Sequence, residues 1–411
     1  MRKVFFKFIP FWIFLILFKF GAGLHYVLMP VFGERVFPVW AVGLLIGGAS
    51  LIQMLCDVPA GKLLDRYGYR RLLMVTTIAF IVAAIALLSG FSVFAYILTL
   101  SLSIFGWLFF TPGINAYMLS QAPKSAAGKF MSFKDVFGSI GIVLSTFALP
   151  IALTLDIKIS GMIILVVMMM TLIAIYFSPK ENESVHVEKK LDTHFYYVRR
   201  NYLHEILQAM KKLNPASSML FVFNITSAIF YATIWFVVPI VIANEAMTGA
   251  FTIGLGIFDF AVVVLGYILG TLVDRGNKRT FIFFGLLLFA IAGMFTGFNF
   301  NWLFLVFGFL ATTGEEIADL SLWSWLHALD KDHANDGLIA GVLTLAEDLG
   351  WAIGPVFAGF VFWIVGGTWT IVLASVFLFL TWIFCLIMMK TTWQDTSAST
   401  PERVRHPRHK V

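Results

Sequence analysis

The stretch that decides the fold is DVPAGKLLDRYGYRR, Asp57 to Arg71. It crowds Asp57, Lys62, Asp65, Arg66, Arg70 and Arg71 together, while the flanking runs 37–56 and 72–91 carry no charge. A weaker echo, GTLVDRGNKR, runs from Gly270 to Arg279. A knot of charge between two long apolar runs is the mark of a short polar turn between membrane spans. The composition agrees. The chain has 411 residues, 60% hydrophobic and 13% charged, where soluble domains carry about 25% charged residues. So much apolar surface cannot be hidden in one protein core, and lipid must be the solvent.

A bilayer core of about 30 Å takes about 20 apolar residues as a helix. That length marks twelve spans, at roughly 9–31, 39–60, 72–90, 93–119, 131–155, 159–177, 216–243, 249–273, 279–297, 302–328, 338–365 and 369–390. Backbone groups in lipid must pair within their own segment, so the spans are expected to be helices. The short alternating segments of a membrane barrel are missing from the sequence. The basic start MRKVFFKFIPFWIFLILF looks like a signal peptide, but its apolar run continues to Val31 with no small-residue cleavage site, so it reads as an uncleaved first span.

Lys and Arg set the orientation. One set of connections holds Arg2, Lys3 and Lys7, then Lys62 to Arg71, Lys124 and Lys129, the middle loop, Arg275 to Arg279, Lys331 and the basic tail. The other set is short, with Arg35 and Lys158 as its clear cations. The positive-inside rule then places both termini in the cytoplasm. The net charge of +6 reports this bias and not a nucleic-acid partner. The two cysteines, Cys56 and Cys385, lie in apolar runs and imply no disulfide framework.

These features divide the chain into a six-helix bundle at 1–178, a linker at 179–215, a second bundle at 216–390 and a tail at 391–411. The second half of the linker spaces Phe195, Val198, Tyr202, Ile206, Met210 and Leu213 at three or four residues. It reads either as an amphipathic helix on the inner leaflet or as a cytosolic tie between the bundles. The bundles look like copies of each other. The shift along the chain that carries Gly61 onto Gly270 also superposes Asp65, Arg66 and Arg70 on Asp274, Arg275 and Arg279. The same shift pairs Pro30 with Pro239, Gly47 with Gly256, Gly128 with Gly337 and Gly141 with Gly350. Gly, Pro, Asp and Arg matching in one gapless register is hard to obtain by chance, and paired repeats with a site between them are a recurrent transporter plan.

DVPAGKLLDRYGYRR resembles the loop signature of the major facilitator superfamily: glycine, three residues, aspartate, a basic residue, one residue, Gly68, then basic residues. It falls between spans two and three and recurs between eight and nine, where Asn277 replaces the glycine. Twelve spans, inside termini and a long middle loop extend the resemblance over nearly the whole chain. It implies an all-α membrane protein of two pseudo-symmetric six-helix bundles. It further implies that Asp65 docks on the cytosolic start of helix 11, near Asn335–Gly337, and by symmetry Asp274 on the start of helix 5. Such an anion meets unpaired N–H groups and the helix dipole, and Arg66, Arg70 and Arg71 are left for carboxylates or anionic lipid. The plainer reading is positive-inside charge alone, which explains neither Asp65 nor the repeat.

Two departures weigh against reading the chain as a drug antiporter of this superfamily. The Gly354–Pro355 pair lies in helix 11, whereas helix 5 has Gly138, Gly141 and Ser145 without an adjoining proline; close helix packing is the expected role. Helix 4 also lacks the basic residue many such antiporters carry.

Ionisable residues inside spans are costly and point to function. Helix 10 holds Glu315, Glu316 and Asp319; Glu315 and Asp319 lie four apart on one face, where two carboxylates resist being ionised together. In this superfamily helices 1, 4, 7 and 10 line the cavity, so the trio is expected to bind substrate or protons, with Lys19 and His25 of helix 1 as counter-charges. Asp57, Asp135, Asp259, Glu347 and Asp348 complete the intramembrane acids, with gating or structure the nearer reading for Asp135, Glu347 and Asp348. Structural ion pairing is the alternative throughout. DKDHANDG at Asp330–Gly337 fails the calcium-loop spacing, with Ala334 and Asn335 at the fifth and sixth positions. No cofactor or metal site is expected.

The expected activity is secondary transport of a small neutral or cationic solute across the cytoplasmic (inner) membrane, driven by protons, with efflux as one direction. The chain is expected to act as a monomer. A facilitator or importer of the same fold is the alternative; in another class stands a membrane-embedded sensor or enzyme using the helix 10 carboxylates with His327 or His333.

Overall fold

A computed structural model describes residues 6–121, 127–179, 215–244, 254–298, 301–329 and 336–398. These form twelve long helices and, among the described residues, no strand. In chain order they are α1 (Ile9–Glu34), α2 (Val39–Tyr67), α3 (Tyr69–Leu87), α4 (Val93–Gln121), α5 (Ala127–Thr154), α6 (Ile157–Phe177), α7 (Pro215–Asn244), α8 (Gly256–Arg275), α9 (Lys278–Phe298) and α10 (Trp302–Leu329). The final helical stretch, Asp336–Ala398, breaks at Gly366, where φ is 80°, into α11 (336–365) and α12 (367–398). The amphipathic segment and the basic tail lie outside the described residues.

Local chemistry sets the boundaries. Gly68 separates α2 from α3 with φ 89° and ψ 140°, a left-handed backbone that a side chain would strain. The second copy turns by another device: the Asn277 side-chain oxygen accepts the Arg279 N–H at 3.1 Å and caps α9. Asp156 caps α6 in the same way through Lys158 N–H at 2.8 Å. Most helices are long and apolar enough to cross a bilayer, and the protein is a multi-pass membrane protein. α10 falls short of that composition because the three acids at 315, 316 and 319 sit close together near its middle.

The repeat is visible as packing. Gly141 on α5 lies against Ile16 and Lys19 of α1; at the equivalent positions of the second half, Gly350 on α11 lies against Ile225 and Ala228 of α7. Gly23 meets Ser145, and their counterparts Ala232 and Gly354 meet in turn. The relation also holds between halves: Gly47 of α2 packs on Val356 of α11, and Gly256 of α8 packs on Phe147 of α5. Tyr26 and Trp235 are themselves equivalent under the shift, and their rings touch at 6.1 Å. A contact between equivalent residues lies on the axis that relates the halves.

These contacts close one end of the molecule. Gly43 meets the Pro355 carbonyl and Gly359, Trp40 stacks on Phe360 at 5.9 Å, and Asn244 donates to Glu34 Oε1 at 2.8 Å. All lie toward the ends of α1, α7 and α11 and the start of α2, away from the chain's N-terminus. Glycine at 43, 47 and 359 lets backbones touch where no hydrophobic force separates helix from lipid.

Candidate functional site

The site is a set of charges carried by α1, α8, α10 and α11, with a tyrosine from α7. Glu315 of α10 accepts a hydrogen bond from the Tyr231 hydroxyl of α7 at 2.5 Å. Asp319 follows one turn on, with the Trp323 indole placed to donate to it. Glu316 turns toward α8, its Oε1 within 3.7 Å of where a side chain on Gly266 would begin. Glu347 of α11 lies within electrostatic reach of Glu315 and Asp319, beside Asp348 and the Trp351 indole. Asp259 of α8 faces Tyr231, and its buried Oδ2 has no hydrogen-bond partner among the described residues.

The opposite wall belongs to the first half. The Lys19 ammonium stands 4.9 Å from the Trp107 ring centre and 5.2 Å from that of Phe110, and lies within electrostatic reach of Asp259 and Glu347. Under the repeat register Trp107 and Phe110 correspond to Glu316 and Asp319, and Lys19 to Ala228. The two walls therefore share one scaffold and differ in chemistry: cation and aromatic rings on one, carboxylates on the other. Beside Lys19 opens a cavity of about 150 Å³, lined also by Thr111, Asn115, Lys134 and Ser139; Lys134 donates to Asn115 Oδ1 at 2.8 Å. A second, smaller cavity, of about 50 Å³, lies behind Trp107 beneath the closed end, lined by Tyr26, Ser50, Gln53, Trp235 and Pro355.

The structure thus brings Lys19, Asp259, Glu315, Glu316, Asp319 and Glu347 together. His25 goes elsewhere: it is 1% exposed, edge-on to Phe80 at 5.5 Å, inside the first bundle. The surroundings of Gly61, the side chains of Asp57, Asp65, Asp135, Asp274 and His327, and residues 330–335 lie outside the described set, and with them the docking of Asp65. Arg70 is held by main-chain carbonyls at the end of α6, donating from Nε to Ile175 at 3.1 Å and from its terminal nitrogen to Tyr176. Arg66 lies over the Tyr67 ring at 5.3 Å and Arg71 is exposed. At Gly270 no other helix among the described residues comes within 4 Å of the point where a side chain would begin, whereas Lys278 donates to the Ser324 carbonyl and Arg279 lies over Trp325. Tyr231, Asn115 and Lys134 were not singled out as cavity residues by sequence. Lys134, a cation inside an apolar span, carried a usable signal; a tyrosine among 44 phenylalanines carries none.

Comparison with known proteins places this geometry. The family model of the Major Facilitator Superfamily matches residues 4–326. An uncharacterized MFS-type transporter of Mycobacterium tuberculosis is 26% identical over 148 residues, which span 34% of this chain and 35% of that one. Among solved structures, a POT family transporter in complex with a thioalcohol-conjugated peptide superposes with a TM-score of 0.71 at 13% identity, covering 94% of this chain and 96% of that one. A mutant of the nucleoside transporter NupG gives 0.68 at 11%, covering 93% and 98%. The human organic anion transporter MFSD10 gives 0.60 at 15%, covering 92% and 98%. At these identities the likeness speaks for the fold, which is that of transporters. With twelve helices in two repeats, a charged site between them and a family match over most of its length, this chain belongs to the major facilitator superfamily.

Proposed function

We propose that the protein is a proton-coupled secondary transporter of the cytoplasmic membrane, working as a monomer by alternating access, with 1–178 and 216–390 as the moving bodies and 179–215 as their tie. The observation that carries this reading is the carboxylate cluster of α8, α10 and α11, anchored by Tyr231 and facing Lys19 across the two halves. Carboxylates this close in a medium of low effective dielectric do not all hold charge at once. A solute that enters and supplies positive charge or hydrogen-bond donors displaces protons from them, and solute and proton then compete for one site. The Lys and Arg distribution puts the end bearing the termini in the cytoplasm. On that orientation the halves meet at the external face.

The test is transport in sealed vesicles. Glu315→Gln and Asp319→Asn are expected to abolish pH-gradient-driven accumulation while counterflow exchange, which needs no net proton release, survives. If both variants still concentrate solute against its gradient, the cluster is interhelical glue. If the unaltered protein equilibrates solute without responding to a pH gradient, it is a facilitator.

A further inference from the structure

The first half's wall carries its own polar cavity, and the proton-coupled reading above makes no use of it. Lys19 of α1 and Lys134 of α5 both line the space of about 150 Å³ that opens between α1, α4 and α5. Around them stand neutral hydrogen-bonding groups: Thr111 and Asn115 from α4 and Ser139 from α5, with Asn115 Oδ1 holding Lys134 at 2.8 Å. Lysines are costly inside a membrane span and are kept where they face a cavity or a ligand. Two of them on one cavity wall, with hydroxyl and amide groups between, make a receptor for an oxyanion: point charges for attraction and neutral donors for direction. Aromatic rings of Trp107 and Phe110 border Lys19 and lead from this cavity to the second one, which is walled mainly by apolar and aromatic groups beneath the closed end. Across from Lys19 stand Asp259 and Glu347.

We infer that the cavity of Lys19, Lys134, Asn115, Thr111 and Ser139 is a binding subsite for the carboxylate of the transported solute, and that the solute is a zwitterion whose ammonium group faces the acids of α8, α10 and α11. This names the substrate class of the site proposed above and rests on that site being the transport site. A purely cationic solute would be repelled by the lysine wall, and a purely anionic one by the acids. A zwitterion aligned across the two halves meets complementary charge at each end, and its side chain has the aromatic cavity to enter.

The experiment uses the full-length protein and two skeletons in four charge forms: leucine, leucine amide, N-acetylleucine and N-acetylleucine amide, with the phenylalanine counterparts. Binding is read as thermal stabilisation in detergent micelles, independently of transport. At least one free amino acid is expected to stabilise the protein, with its amide and its N-acetyl form needing tenfold higher concentrations or more. Lys19→Gln and Lys134→Gln should each erase the advantage of the acid over its amide, and Lys134→Arg should restore it. The proposal is overturned if the amide stabilises as well as the acid, if no member of the panel stabilises the folded protein, or if the glutamine variants keep the preference for the carboxylate. A Lys134 that only pairs with its helical neighbours would give that last result, with a lower melting temperature and unchanged selectivity. Proton-driven uptake of the amides alone would sink the carboxylate subsite and leave the coupling reading standing. Amino acid binding without any response of uptake to a pH gradient would do the reverse.

Discussion

A side chain at Gly43 should prise open the closed end of the molecule. A Cβ built on Gly43 falls 2.9 Å from the Gly359 Cα and meets the Pro355 carbonyl still more closely. Carbon atoms rest at about 3.5–4.0 Å, so α2 and α11 must part by about 1 Å, and backbone on the far side cannot swing away as a flexible side chain could. Overpacking of this kind costs about 1–3 kcal/mol. Where two conformations compete, that is a shift of about 5- to 150-fold in their ratio. Gly43→Val should therefore deplete the state closed at this end and favour the one in which these helices separate. The assay is labelling of a cysteine placed at Ser50, which lines the cavity beneath the closure, by a membrane-impermeant maleimide added outside, in a background without Cys56. The rate should rise several-fold or more. Gly48→Val is the control, because a side chain there meets no neighbouring helix within 4 Å among the described residues. Equal labelling of the Gly43→Val and Gly48→Val proteins, both folded, would show that the glycine contact does not hold the end shut.

The other predictions are simpler. Tyr231→Phe deletes a hydrogen bond to a carboxylate, worth about 1.5–3 kcal/mol, and should slow proton-driven uptake about tenfold or more with little change in melting temperature; an unaltered rate would remove Tyr231 from the site. Arg70→Gln takes a cation and its hydrogen bonds from the α6 C-terminus, where the dipole interaction is worth about 0.3–2 kcal/mol. Thermal stability should fall, and no fall would return Arg70 to the pool of exposed charge. Cysteines at Asn299 should label from outside, and those at Ser125 and Asn277 only after permeabilisation. Labelling of Ser125 in intact cells would invert the assigned orientation.

Much of the architecture was legible because lipid makes the code simple. A span must be helical and about twenty apolar residues long, so counting places α1 to α12 with ends shifted by a few residues. The longest differences are at polar ends such as 61–67, where α2 continues through the charge knot to Gly68. The repeat register was also legible, because Gly and Pro mark backbone contacts that survive when apolar side chains drift. The structure then turned matched letters into matched contacts, as at Gly47 with Val356 and Gly256 with Phe147.

The composition of the site was only half legible. The sequence by itself determined that Glu315 and Asp319 share a helical face and that Lys19 lies within a span, since both follow from spacing along one chain segment. Which groups meet across segments depended on the rotation of each helix about its axis, and packing between helices sets that rotation. Lys19 and His25 sit on the same helix, α1; the tertiary structure turns Lys19 toward Trp107, Asp259 and Glu347 and buries His25 against Phe80. The same packing brought Lys134 beside Asn115, and Tyr231 to Glu315 across a chain separation of 84 residues. The closed end was likewise decided only in three dimensions, because one sequence serves every state of a moving protein and a single arrangement shows which of its glycine seams are shut.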